Sequence, residues 1–214
     1  MSGLFITFEG PEGCGKSTQI VRLVERLEQA GHDVVTTREP GGTPAGEAIR
    51  GILQHDTAGE DICAEAETLL FEASRAQLVS RVIRPALERG AVVVCDRFAD
   101  STTAYQGYGR GFDIEAVLQL HAFALGSTEP DLTLLIDVDV EEGFRRIHGR
   151  NERDQTGLDR MERESLDFHR RVYAGYHDLA KRMPERFFVI NGDRSPDDVH
   201  ESVWARVTKA LNER

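Results

Sequence analysis

The chain of 214 residues is long enough for one α/β domain with a sizeable buried core, and its composition gives no sign of a second. Acidic residues outnumber basic ones 37 to 26, and the net charge of −11 argues against non-specific binding to nucleic acid or to an anionic membrane, so an anionic ligand must be gripped by a local cluster of positive charge. No apolar run approaches bilayer length and no charged-then-apolar leader precedes the first strand, while Cys14, Cys63 and Cys95 are widely spaced without a Cys-x-x-Cys pair; the expectation is a cytoplasmic protein with free thiols and no zinc site.

Leu4-Phe5-Ile6-Thr7-Phe8 is a short apolar, β-prone run. Gly10-Pro11-Glu12-Gly13-Cys14-Gly15-Lys16-Ser17 follows, a full match to the phosphate-binding loop pattern, in which two glycines frame four residues and a lysine and a hydroxyl complete the turn. Glycines let backbone N–H groups face a phosphate, Lys16 reaches the outer phosphates, and the Ser17 hydroxyl can ligate a bridging Mg²⁺. From Thr18 onward, Ile20, Leu23, Val24 and Leu27 recur at helical spacing, so the helix N-terminus points at the bound phosphates. Strand, loop and helix together imply a nucleoside triphosphate held over residues 10–18, against the plainer reading of a glycine-rich turn.

Asp33 to Thr37 reads as a second strand, and Arg38-Glu39-Pro40-Gly41-Gly42-Thr43-Pro44 as a loop whose Thr43 caps a helix that carries Arg50 and runs to about Leu53. Ala64 to Glu88 is a long helical pattern kinked at Pro85 and closed by Gly90. Phe71 and Arg75 lie four apart on one face, suited to stack on and hydrogen-bond a base; by spacing alone, Phe71 reads as core and Arg75 as surface. Ala91 to Cys95 is an uninterrupted apolar run, the pattern of a strand buried on both faces of a parallel sheet. It stops at Asp96-Arg97, where open α/β sheets bind ligands, so Asp96 is a candidate for positioning Mg²⁺ and Arg97 for holding a phosphoryl group; a surface ion pair is the alternative.

Ser101 to Gly111 is polar and glycine-rich, with two tyrosines and Gln106, a composition suited to a polar ligand. A helix over 114–123, a strand over 132–136 ending at Asp137, and a helix from about Val140 to His148 follow. Residues 149–158 are charged, aperiodic and glycine-bounded, as in a mobile flap or a plain surface loop. A long helix from about Asp159 to Arg182, a strand at Phe187-Phe188-Val189-Ile190 and a closing helix capped at Ser195-Pro196 complete the chain. Five strands alternating with helices predict a three-layer α/β/α fold on a five-stranded parallel sheet, one domain over residues 1–214.

The set resembles the bacterial thymidylate kinases, a family of nucleoside monophosphate kinases, over nearly the whole length. The resemblance rests on Gly15-Lys16-Ser17, Arg38 to Thr43, Leu69-Leu70-Phe71 with Arg75, Asp96-Arg97, Ala104-Tyr105-Gln106-Gly107 with Gly109-Arg110, and Asp159-Arg160-Met161-Glu162. It implies ATP as phosphoryl donor with Mg²⁺ as cofactor, dTMP as acceptor, strand order 2-3-1-4-5 and a homodimer, while the acidic composition speaks against nucleic acid and membrane as partners. It also implies that Phe71 stacks on thymine, Arg75 and Gln106 bond its edge, and Ser101 or Thr102 assist. Tyr105 would exclude a ribose 2′-hydroxyl and Glu12 would face the 3′-hydroxyl. Arg50 and Arg97 would grip the monophosphate beside Glu39 and Pro40, and adenine would lie between the flap and the turn at 191–194. Because Glu12-Gly13-Cys14 carries no basic residue, the resemblance assigns catalytic arginines to the flap, with Arg150 and Arg153 as candidates beside Lys16 and Arg97. The rival readings are a phosphate-loop kinase for another nucleotide or a deoxynucleoside, and a nucleotide-dependent switch; the Asn-Lys-x-Asp element of guanine-specific switches is absent.

Overall fold

Strand β1 (Leu4–Glu9) is buried along its whole length because its two faces meet different cores, so the usual alternation of apolar and polar residues is lost. The computed structural model describes residues 3–55, 57–154 and 157–213, and the side chains of 150–154 lie outside the described residues. After β1 come α1 (Lys16–Gln29), β2 (Val34–Arg38), α2 (Pro44–His55), α3 (Ala64–Leu78), a π-helical segment (Val79–Ile83) and α4 (Arg84–Glu88). Then follow β3 (Val92–Asp96), α5 (Ala99–Thr102), a second π-helical segment (Thr103–Gly109), α6 (Ile114–Leu125), β4 (Leu132–Asp137), α7 (Val140–Asp154), α8 (Leu166–Arg182), β5 (Phe187–Asn191) and α9 (Pro196–Asn212).

The strands form one parallel sheet in the order β2-β3-β1-β4-β5, as expected. Leu4, Ile6 and Phe8 pack with Ile20, Leu23 and Leu27 of α1 and with Val199, Val203 and Val207 of α9. Phe5, Val93 and Cys95 face the other way, against Leu78, Ile83, Ala86 and Leu125 from the α3–α4 and α6 side. Farther along that second face, α8 sets Phe168, Val172, Tyr176 and Leu179 against Leu135 and Phe187. Helices on both faces make the three layers, and the carboxyl ends of β1 and β3, where Phe8 pairs with Asp96, open on one edge.

The structure departs from the periodicity in several places. The helix expected over 64–88 passes through a π turn before Pro85 instead of simply kinking; proline has no N–H to continue the α ladder and sits in the first turn of α4. The stretch from Ser101 is helical too, completing α5 and winding through the second π segment. Helix α8 begins at Leu166, not Asp159, because the Ser165 side chain accepts from the Phe168 N–H and starts it there. Residues 159–164 are instead a turn in which Asp159 and Glu162 exchange backbone and carboxylate hydrogen bonds. Helix α7 continues past His148 to Asp154, so the first part of the expected flap is helical; a lone glycine, Gly149, costs a helix only about 1 kcal/mol.

Candidate active site

The phosphate loop joins β1 to α1, and two of its glycines are required, Gly13 by its neighbour as well as its backbone angle and Gly15 by its backbone angle alone. Gly13 has φ +71°, and a Cβ there would lie 2.2 Å from the Gly143 carbonyl oxygen, whereas at Gly15, with φ +95° at the N-cap of α1, a Cβ would meet open space. Lys16, 8% exposed, spans the loop: Nζ donates to the Gly10 and Pro11 carbonyls at 3.2 Å each and approaches Cys14 Sγ at 3.4 Å. Ser17 and Thr18 are exposed at the start of the helix, lining the same cavity. That cavity, of about 610 Å³, runs from Glu12 to Thr18 and is walled by Arg38, Arg50, Asp96, Arg97 and Arg146. It supplies the local positive charge that the acidic composition demands.

A narrower cleft of about 40 Å³ adjoins it, lined by Glu12, Glu39, Pro40, Phe71, Arg75, Arg97, Ser101, Thr102, Tyr105 and Gln106. Thus ten residues expected around an acceptor nucleotide converge from five separate parts of the chain. Arg50 lies on the phosphate side instead, where its Nη1 donates to the Pro40 carbonyl at 2.9 Å. Gly10 and Pro11 serve through the carbonyls that hold Lys16. The side chains of Arg150 and Arg153 lie outside the described residues.

Arg97 joins the two spaces. Its backbone has φ +65°, the left-handed region that a non-glycine residue adopts only under constraint. The constraint is local: the Arg97 N–H donates to Phe8 O at 3.0 Å, and the next N–H, of Phe98, donates to Glu9 Oε1 at 2.7 Å. The guanidinium then reaches Glu12 Oε1 at 2.8 Å, Tyr105 Oη at 3.1 Å, and Tyr176 Oη, Ser101 Oγ and Gly10 O at 3.0 to 3.2 Å. Burial disfavours the charge on Glu12, but Arg97, Lys16 and the Tyr105 hydroxyl hold its carboxyl down at about 2, so it is a fixed anion between two cations. Glu9 is different. Burial, with the nearby Asp100 charge, pushes it up to about 7, although Arg97 pulls the other way.

The spacing argument puts Arg75 at the surface and Phe71 in the core; the structure reverses the first and meets the second only halfway. Arg75 is 1% exposed, and Phe71 is half-buried on the wall of the cleft. Arg75 donates from Nε to Glu39 Oε2 at 2.8 Å, from Nη1 to Glu72 Oε1 at 2.5 Å, and from Nη2 to Thr102 Oγ1 at 2.8 Å and Phe98 O at 3.3 Å. A guanidinium has five N–H donors, and these contacts among the described residues engage four of them, leaving the second Nη1 hydrogen. Burial raises Glu39 to about 7 against the pull of Arg75.

Sequence reasoning missed several contributors. Glu9 was legible as a charged residue ending an apolar strand, the same signal that singled out Asp96. Tyr176, whose hydroxyl donates to Glu9 at 2.9 Å across 167 residues of chain, carried no local signal at all. Gln54 also lines the narrower cleft, as do Asp159 and Met161, which the resemblance named without a role; α2 and the turn that follows α7 bring them there.

The thymidylate kinase family model matches residues 8–203. The chain belongs to the thymidylate kinase family. It is 50% identical over 207 residues to a thymidylate kinase of Thermomicrobium roseum, covering 97% of this chain and 95% of that one. A thymidylate kinase of Solidesulfovibrio magneticus is 51% identical over 211 residues, covering 97% of this chain and the whole of the relative. The crystal structure of the thymidylate kinase from Ehrlichia chaffeensis superposes with a TM-score of 0.76 at 36% identity, covering 97% of this chain and 99% of that one. Family membership favours the thymidylate kinase reading over both the switch and the kinase for a different acceptor.

Proposed function

We propose that the two joined cavities transfer the γ-phosphoryl group of ATP to the 5′-phosphate of dTMP, giving ADP and dTDP. The observation that carries this is their continuity: Glu12, Glu39, Arg97 and Asp159 line both spaces, so a phosphate bound on Arg97 lies beside the phosphate loop. A phosphate oxygen of dTMP attacks the γ-phosphorus, a new P–O bond forms, and the bond to the β-phosphate oxygen breaks with its electron pair leaving on ADP. The acceptor is already an anion, so the protein's work is alignment, exclusion of water and neutralisation of charge. Lys16 turns from the loop carbonyls to the outer phosphates, Arg97 and Arg50 grip the dTMP phosphate, and Glu12 both steadies Arg97 and faces the sugar 3′-hydroxyl. Tyr105, tethered to Glu12 at 2.7 Å, closes the space a 2′-hydroxyl would need.

Mg²⁺ fits the donors present. Asp96 Oδ1 is buried without a hydrogen-bond partner among the described residues and lines the same cavity as Ser17. Such an ion takes one or two protein oxygens and completes its shell with substrate phosphates. When bound, it would neutralise charge on the transferring phosphoryl.

Phe71→Ala tests the acceptor assignment. Base–aromatic stacking is worth about 1–3 kcal/mol, so dTMP affinity should fall by roughly one to two decades with little change for ATP. Calorimetric titration of each nucleotide checks this, and equal losses for both would mark Phe71 as part of the core.

The whole chain is read as one domain on one sheet, with the stretch from 149 to 158 acting as a lid over ATP and adenine lying between it and the turn at 191–194. Two copies are inferred to pair through α3 and α6, which pack side by side and expose Leu69, Leu118 and a Phe123 that is 91% exposed. Sedimentation equilibrium should return twice the chain mass of 23.9 kDa, and a single-chain mass would overturn the pairing. None of the helices is long and apolar enough to cross a membrane among the described residues. A cytoplasmic site is consistent with the three free thiols.

A further inference from the structure

Glu67, Phe71 and Arg75 recur at four-residue intervals on α3, and only the last two have been given a task. Glu67 is fully buried, a position that a carboxylate occupies only when it is well paired. Its Oε1 accepts from Gln106 Nε2 at 2.7 Å and Arg110 Nε at 3.1 Å, while Oε2 accepts from Arg110 Nη2 at 3.0 Å and from Arg160 Nη2. Burial would raise its carboxyl, but Arg110, Gln106 and Arg160 hold it below the usual carboxylate range, so it stays ionised. An ionised carboxylate only accepts hydrogen bonds. The Gln106 atom turned toward it must therefore be the NH₂ group, and the amide orientation, which is otherwise ambiguous, is settled by this partner. Gln106 lines the base-side cleft, so the atom it offers there is Oε1, an acceptor.

We propose that Glu67 is a specificity-determining positioning residue, which locks the Gln106 amide so that the cleft presents an acceptor beside the donor of Arg75. That pair complements thymine, whose O4 accepts and whose N3–H donates, and opposes cytosine, whose amino group donates and whose N3 accepts. The inference rests on dTMP being the acceptor. Arg160 comes from the turn after α7 and also donates from Nε to Leu53 O at 2.9 Å, so the same carboxylate ties that turn and α2 to the base edge. A buried ion cluster of purely structural purpose is the competing account, and it makes no statement about which base is used.

Glu67→Gln separates the two. Arg110 and Arg160 claim the new carbonyl oxygen, the new NH₂ faces Gln106, and Gln106 turns its own oxygen toward it, leaving an NH₂ in the cleft. The ratio of kcat/KM for dTMP to that for dCMP should fall at least about tenfold, within the range that a good base-edge pair confers. The double exchange E67Q/Q106E keeps volume and charge and returns an atom that only accepts to the cleft, so the ratio should recover toward the wild-type value. An unchanged ratio in E67Q, or a double exchange no more selective than E67Q, overturns the proposal. Should neither variant fold, a neutron crystal structure of the wild-type protein with dTMP decides: deuterium on the Gln106 atom that faces Glu67 supports it, and deuterium on the atom that faces the base overturns it. Wild-type protein that fails to phosphorylate dTMP would instead overturn the acceptor assignment.

Discussion

Lys16→Ala should lower kcat/KM for dTMP phosphorylation by a factor on the order of 10³ or more, with little change in thermal stability. Among the described residues its ammonium bonds to groups of its own loop, Gly10 O, Pro11 O and Cys14 Sγ, rather than across to another element. Its value lies in the charge it brings to the outer phosphates. Removing one preorganised donor from a developing oxyanion costs about 10²–10³ in rate, and a full positive charge in a cavity shielded from water is worth at least as much. Coupled ADP release against dTMP and a thermal melt measure both sides. Turnover near the wild-type level would remove the phosphate loop from the chemistry, and a large drop in Tm would show that the lysine serves the fold.

The double variant R150A/R153A should lower kcat by roughly 10³ while leaving the dTMP dissociation constant nearly unchanged, and each single variant should cost at least about tenfold. The loop carries Glu12 where an arginine would serve, and Glu12 holds Arg97 at 2.8 Å, so that guanidinium is committed to one side of the reaction. Arg50 is likewise engaged with Pro40 O. Helix α7 runs to Asp154, and Arg150 and Arg153 follow Arg146, a residue on the wall of the phosphate cavity, at intervals of four and seven. That spacing keeps three arginines in helical register along α7. Contacts made only when the lid closes over both nucleotides lower the barrier without strengthening ground-state binding, which is why the effect belongs in kcat. A double variant that turns over dTMP at close to the normal rate would make the segment a charged surface helix. It would also leave Arg97 or Arg146 to neutralise the transition state.

The sheet was legible because each central strand is buried on both faces, so Val92-Val93-Val94-Cys95 stands out as an unbroken apolar run and Leu132 to Ile136 as one broken only by the buried Thr133. The phosphate loop was legible because its glycines and lysine are tied to one another within eight residues. Arg75 was misplaced because a spacing argument sees only its own helix, whereas the carboxylate that buries it, Glu39, comes from a loop 36 residues earlier. The Glu9–Tyr176 and Gln106–Glu67 pairs share that difficulty, since the partner that gives each residue its role arrives through the tertiary fold. The start of α8 was a different failure. Ser165 carried a readable capping signal, and the preceding Asp159–Glu162 turn imitates a helix start through its reciprocal hydrogen bonds.

The central claim is that one continuous site selects thymine and phosphorylates its monophosphate, and a panel of acceptors presented with ATP and Mg²⁺ tests it most directly. With kcat/KM measured for dTMP, dCMP, dGMP, dAMP and thymidine at matched concentrations, dTMP should exceed every other acceptor by about 10² or more, as expected where a site's buried polar groups lose their partners with the wrong base. Comparable rates for dTMP and dCMP would contradict base selection by Arg75 and Gln106, and faster use of thymidine than of dTMP would contradict the grip of Arg50 and Arg97 on an acceptor phosphate.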